Sequence, residues 1–330
     1  MNLGSPDSTS VKDVRNYLKE FLMDKRVIDS PYLLRTILVK GLITPSRAPQ
    51  SAEAYESIWT EDGSPLVSIT RQLREKLQQV VQEPVEIAMR YGNPNMQSAY
   101  DSLQSKHPGI EEVVLVPLYP HYAMSSYETA VEHAREVHRR QGYTFRLRIV
   151  PPFYNDTYFI NALTEGIRPY LDGKKHLLFS YHSIPERHIM KSDVTGDHCL
   201  HSAHCCTSGY SPAHRYCYRH QCLVTTRLIV ERLGLKEGSY SVSFQSKLGR
   251  SEWLKPATTA RMEQMPGEGI KDLAVVCPAF VSDCLETLEE IDIREKENFM
   301  KAGGESYVYI PCMNTQPMWV DALRRLCERV

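Results

Sequence analysis

Short apolar runs of strand type alternate with stretches of helical periodicity along almost the whole chain, and no other feature constrains its fold as strongly. The runs at 85–89, 113–118, 144–149, 176–179, 240–244, 273–276 and 306–310 have the length and apolar density of buried strands. Between them, 11–23, 66–81, 127–140, 158–171, 223–233, 285–300 and 318–327 repeat apolar residues at helical spacing. Strands separated by helices in this way belong to a mainly parallel sheet with helices on both faces. At 330 residues, two similar doubly wound (Rossmann-like) α/β halves fit better than one continuous sheet. The break falls at Leu171-Asp172-Gly173-Lys174-Lys175, which gives domains 1–172 and 173–330, with the C-terminal helix expected to pack back on the first half. Asn2-Leu3-Gly4-Ser5-Pro6-Asp7 reads as the end of a strand and the loop after it.

Composition narrows the function classes. The formal net charge is −1, so no overall field recruits nucleic acid or an anionic membrane. No stretch reaches the roughly 18 apolar residues of a spanning helix. No export signal is visible in the polar N-terminus, so the expected compartment is cytoplasmic and the cysteines are read as thiols or metal ligands before disulfides. One apolar helical stretch, 32–43, stands apart; it carries Leu33, Leu34, Ile37, Leu38, Leu42 and Ile43 with a basic edge from Arg35, Lys40 and Arg47. It reads as a core helix or as an apolar lip, spanning 31–47, that touches a membrane surface. Nothing in the sequence fixes an oligomeric state.

Chemistry-bearing residues collect after the strand-like runs, where open α/β sheets bind ligands. His182 follows Leu177-Leu178-Phe179 and precedes a loop broken by Pro185. After the run at 273–276 come Asp283, Glu286 and Glu290, spaced to share one helix face. An Asp followed by Glu three residues later is also a capping box. With His182 at a neighbouring strand end, the carboxylates can instead relay protons or hold a hard cation beside a neutral imidazole. Arg90-Tyr91-Gly92, Tyr119-Pro120-His121-Tyr122 and the Gln245–Leu254 stretch with Trp253 repeat the pattern of strand and polar loop. Five of the nine cysteines (Cys199, Cys205, Cys206, Cys217 and Cys222) fall within 24 residues, interleaved with His198, His201, His204, His214 and His220. Zinc accepts such mixed donors, and four thiolates suit a [2Fe–2S] cluster, although the spacing is not that of plant ferredoxins.

The ordered motifs Asn2-Leu3-Gly4-Ser5-Pro6, Tyr17-Leu18-Lys19-Glu20-Phe21-Leu22-Met23-Asp24, Ile58-Trp59 with Gly63-Ser64-Pro65-Leu66, and Arg90-Tyr91-Gly92 resemble those of the ferrochelatases. So do Ser180-Tyr181-His182-Ser183-Ile184-Pro185, Phe244-Gln245-Ser246-Lys247-Leu248-Gly249 with Trp253-Leu254, and Leu285-Glu286-Thr287-Leu288-Glu289-Glu290, so the resemblance covers nearly the whole chain. It implies the chelatase fold, two doubly wound parallel-sheet domains with a cleft between them, and insertion of Fe2+ into protoporphyrin IX to make haem. It implies His182 as proton acceptor, iron ligand or both, Glu286 as the carboxylate facing it, and Glu290 as a relay behind. It implies substrate contacts from Arg90, Tyr91, Tyr119 and Trp253, a propionate partner in Arg47, and an apolar lip suited to a substrate arriving from a membrane. Cys284 departs from the family's animal members, which carry histidine there, and reads as an inert buried thiol. Some bacterial members hold a [2Fe–2S] cluster in an internal insertion, which makes Cys199, Cys206, Cys217 and Cys222, within about 198–222, the expected ligands. Adjacent Cys205 is the alternative to Cys206, and structural zinc the alternative to the cluster. A chelatase for another tetrapyrrole such as coproporphyrin, or a non-catalytic haem- or iron-responsive protein, are the other readings.

Overall fold

A computed structural model describes residues 1–247 and 251–330, so the Leu248-Gly249 end of one motif lies outside the described residues. The chain forms two compact units: Met1–Leu118, Met124–Pro151 and Leu323–Val330 make the first, and Tyr119–Ala123 with Pro152–Ala322 the second. In the first unit, β1 (Glu112–Leu115) and β2 (Arg146–Ile149) pair in parallel. The expected strand at 85–89 does not form. Its first residue is held by side chains of the helix Pro65–Gln78, with Gln78 accepting from Val85 N at 2.9 Å and Arg74 Nε donating to Val85 O at 2.8 Å. Its end bridges the chain start instead: Asn2 N donates to Ala88 O at 2.9 Å and Arg90 N to Asn2 O at 2.8 Å.

The second unit holds a four-stranded sheet of β3 (His176–His182), β4 (Tyr240–Gln245), β5 (Asp272–Val276) and β6 (Ser306–Tyr309), in the order β4-β3-β5-β6 and parallel throughout. The near-continuous apolar character of β3 and β5 suits strands covered on both faces. One cover is a core of Leu178, Met262, Met265, Leu273, Val275, Cys277, Ile291 and Phe299. The chain leaves β3 towards β4, then crosses back to β5. That reversal opens a crevice beyond the carboxyl ends of β3 and β5, where ligands bind in sheets of this kind. Both expected helices that carry chemistry are partly of wider pitch. Residues Tyr32–Thr36 are α-helical, Ile37–Ile43 form a π-helix, and Thr44–Ile58 are α-helical again. Likewise Glu286–Glu295 is a ten-residue π-helix before the α-helix Lys296–Lys301. Long π stretches are rare and concentrate at functional sites. Among the described residues, no helix is long and apolar enough to cross a membrane.

Gly4 sits at φ +108°, and a Cβ there would overlap the Tyr91 carbonyl oxygen. Gly4→Ala is therefore expected to destabilise the fold by about 2 kcal/mol or more, read as a lower denaturant midpoint with an unchanged slope.

Candidate active site

β3 ends in His182, paired in register with Gln245 at the end of β4. The imidazole is half-buried, with the Phe280 ring edge-on at 6.3 Å. Burial lowers its pKa, opposed by the nearby Glu286 carboxylate and by a backbone hydrogen bond at Ser183. The imidazole is thus held neutral, with its proton-accepting nitrogen free of partners among the described residues, while a carboxylate beside it offsets part of the cost of charging it. The carboxylates come from the π-helix that follows β5. Glu290 lies behind Glu286; burial first, and the Glu286 charge second, push its carboxyl up to about 7. Ser246, at φ +69°, donates a short hydrogen bond to Glu290 Oε2, and Arg294 stands 3.9 Å away.

The sequence reading placed His182, Glu286 and Glu290 in one locality, and the structure brings them together. Asp283 behaves otherwise: its carboxylate is consumed by Tyr309 OH at 2.5 Å, Asn314 Nδ2 at 2.6 Å, Cys312 N at 3.2 Å and Thr287 Oγ1 at 3.2 Å. No capping box forms either: the helix has no side-chain cap, Asp283 N donates to Asn314 Oδ1 at 2.8 Å, and Asp283 instead ties the entry to the π-helix to the segment after β6. Cys284 is buried, and burial raises its thiol well above the usual range. Two positioning groups escaped residue-by-residue reading, although both lie in a quoted motif. Gln245 Oε1 accepts from Ser180 Oγ at 2.7 Å while its Nε2 donates to Glu286 O at 2.8 Å. Ser246 is the other, through Glu290. Trp253 is half-buried and bridges Pro185, and its indole N–H has no hydrogen-bond partner among the described residues. Tyr119 is buried.

The first unit holds the other candidates. Arg90 and Tyr91 form a knot around Asp24: Arg90 Nη2 lies 2.5 Å and Tyr91 OH 3.0 Å from Asp24 Oδ2, Thr129 donates to the same oxygen, and the guanidinium lies 4.2 Å over the Tyr91 ring. Burial works to raise the Asp24 carboxyl, yet these bonds hold it below its usual value. Arg47 is exposed on its helix. Arg35, expected on a basic edge, is buried instead and donates to Ile28 O at 3.1 Å and Ser30 O at 2.9 Å. A cavity of about 1140 Å³ in this unit, walled by Leu77, Val85, Ile87, Leu103 and Val113, contains none of the candidate residues.

The clustered cysteines are all buried, with free thiols. Cys206 exchanges thiol hydrogen bonds with Cys217 and Cys205, and Cys217 with Cys199. Cys205 and Cys206 Sγ are 3.8 Å apart, and Leu200 N donates to Cys205 Sγ at 3.4 Å. Thiol contact and burial raise Cys217 to about 12. Among the described residues, no group of three or more His, Cys, Asp and Glu side chains is arranged to hold a metal ion.

A doubly wound α/β sheet with an imidazole and paired carboxylates at its point of reversal is the ligand-site arrangement of open α/β sheets. Comparison with known proteins narrows this. The family model described as Ferrochelatase matches residues 1–330. The ferrochelatase of Pseudomonas fluorescens (strain SBW25) is 48% identical over 331 residues, covering 100% of this chain and 96% of its own length. That of Azotobacter vinelandii is 48% identical over 330 residues, covering 99% and 97%. The solved structure of SirB from Bacillus subtilis with Fe3+ aligns with a TM-score of 0.50 at 15% identity, over 79% of this chain and 89% of that one, a likeness of fold. The chain belongs to the ferrochelatase family.

The raised Glu290 carboxyl makes a signed prediction. A buried acid with pKa about 7 folded and 4.5 unfolded imposes no penalty below pH 4.5; the penalty grows as pH rises and is complete above 7. Glu290→Gln is therefore expected to gain about 3 kcal/mol on the parent between pH 4.5 and 7.5, measured by denaturant unfolding across that range.

Proposed function

We infer that His182 takes the pyrrole protons while this chain, as a lyase of the ferrochelatase family, inserts Fe2+ into protoporphyrin IX in haem synthesis. The reaction exchanges two N–H protons for a dication, so two protons must leave the ring. A pyrrole N–H is a poor acid, and its transfer needs a neutral base within hydrogen-bond reach. The observation that carries the reading is an imidazole kept neutral by burial, with the Glu286 carboxylate beside it. Glu286 stabilises the imidazolium that forms or meets the incoming iron. Glu290, titrating near neutral pH, receives the proton next and passes it outward. The indole N–H of Trp253 and the buried Tyr119 serve the macrocycle in this unit.

In the first unit, taken by itself, exposed Arg47 offers a guanidinium to a propionate, a bidentate match. Arg90 and Tyr91 are locked by Asp24 and serve as a rigid wall to substrate rather than as mobile ligands. The exposed side chains of Tyr32, Leu33, Ile37 and Leu42, 61% to 75% accessible, suit a peripheral contact with a membrane surface by a cytoplasmic enzyme.

The cysteine centre fits a [2Fe–2S] cluster by its donor chemistry: buried, mutually contacting thiols and an Arg219 guanidinium 3.7 Å from two of them. Cys199, Cys206, Cys217 and Cys222 would hold it. Cys206 is favoured over Cys205 because its thiol reaches Cys217, which in turn reaches Cys199. Bound there, the cluster supplies a redox-responsive structural tie, whereas zinc would supply a redox-silent one.

The test is an absorption spectrum of anaerobically purified protein followed by zinc-porphyrin emission after adding protoporphyrin and zinc. Growing emission supports the chelatase, and coloured protein without insertion supports a binding protein. His182→Ala is expected to lose at least about 100-fold in insertion rate; full activity would remove His182 as proton acceptor. Cys206→Ala is expected to lose visible bands bleached by dithionite, while Cys205→Ala keeps them. The reverse result would exchange the two ligands, and a colourless, zinc-containing parent would replace the cluster with zinc.

A further inference from the structure

The helix Tyr218–Leu233 starts at the cysteine centre and lies along the strand that carries His182. Cys217 is its N-cap, its thiol accepting from His220 N at 3.5 Å. The next residue, Tyr218, is buried and donates its hydroxyl to the His182 carbonyl at 2.9 Å. Arg219 then reaches the sulfurs of Cys205 and Cys206, and His220 Nδ1 lies 2.8 Å from Cys206 O. A single helical turn thus touches the thiols on one side and the candidate base on the other.

The grip repeats two turns on. Tyr181 OH and Thr226 Oγ1 are 2.8 Å apart, and His121 Nε2 and Thr225 Oγ1 are 2.9 Å apart. The His121 ring stands edge-on to Tyr181 at 5.5 Å and to Tyr218 at 5.8 Å. Residues 218, 222, 225 and 226 share one helix face, and Cys222 is fully buried among them. Meanwhile β3 loses its β5 ladder after Phe179, three residues short of His182. On that flank the carbonyl of His182 is therefore fixed by a phenol and not by the sheet.

We propose that Tyr218 is a positioning residue for metal insertion, transmitting the state of the cysteine centre to His182 through the hydrogen bond to its carbonyl. This rests on the reading of His182 as proton acceptor and of the cysteines as cluster ligands. Ligation of Cys206 and Cys217 fixes the first turn of the helix, and with it the phenol. Loss of ligation frees that turn, and the end of β3 shifts. Proton transfer tolerates little displacement, since a misplacement of about 1 Å costs about 100-fold in rate.

Tyr218→Phe keeps the ring against His121 and removes only the donor. Its insertion kcat for zinc is expected to fall roughly 10- to 100-fold with porphyrin KM unchanged, the pattern of lost transition-state alignment. Labelling with 13C-carbonyl histidine and 15N serine isolates two peptide bonds, 182–183 and 201–202. The His182 carbonyl resonance should move upfield in Tyr218→Phe. It should move the same way in Cys206→Ala, which leaves Tyr218 and the helix cap in place, and the double variant should be no slower than the worse single one. Unchanged kcat in Tyr218→Phe, or a His182 resonance unmoved by Cys206→Ala, overturns the proposal. A parent without visible absorption bands removes the cluster, yet the carbonyl shifts still decide whether the thiols reach His182. An active His182→Ala removes the base, and the two failures are thereby told apart.

Discussion

The buried amide of Gln245 ties four pieces of the second unit together, and the acid–base centre depends on it. Its Oε1 accepts from Ser180 on β3 and, at 3.6 Å, from the Cys277 thiol just after β5. Its Nε2 holds the Glu286 carbonyl where the π-helix begins, and its own backbone sits opposite His182. An amide buried in this way is costly unless both of its ends are satisfied, so the geometry it imposes is stiff. Glu286 is consequently placed relative to His182 by the sheet itself, although it belongs to a helix that comes more than a hundred residues later.

Around that frame the electrostatics divide the labour. Two carboxylates close together in apolar surroundings cannot both ionise cheaply, and burial with the neighbouring Glu286 raises the Glu290 carboxyl. Ser246 donates to it and Arg294 stands at a distance, so the second carboxyl keeps a proton affinity near neutrality. The imidazole is shifted the other way by the same burial. An imidazole with a lowered pKa and a carboxyl with a raised one thus flank Glu286.

Much of this was legible in the sequence because parallel strands advertise themselves. The runs at 176–179 and 273–276 are apolar on both faces, and the polar residues just past them had to lie at strand ends. The π-helices were not legible, because an apolar pattern read at 3.6 residues per turn does not reveal the extra residue that widens a turn. The strand expected at 85–89 failed for a different reason: Gln78 and Arg74, side chains of the preceding helix, claimed the backbone groups of Val85, and the chain start claimed its end. The roles of Asp283, Arg35 and Arg90 were hidden likewise, since a charged residue in a loop gives no sign of which buried carbonyls or hydroxyls await it. The cysteine run was visible as a cluster, whereas the contacts separating Cys206 from Cys205 arise only when the intervening loop closes.

The hydrogen bond from Tyr218 to His182 also closes a ring in the chain. The polypeptide leaves the sheet after His182, pairs briefly with 252–254 through Ile184 and Glu186, and makes its excursion through the cysteines. It then re-enters the fold touching the residue it left. An excursion whose two ends meet can be lengthened, shortened or excised with little effect on the register of the strands, because closing a longer loop costs only logarithmically more. The thiol-bearing segment is therefore a closed loop: its length is uncoupled from strand register, while its last turn stays tied to His182.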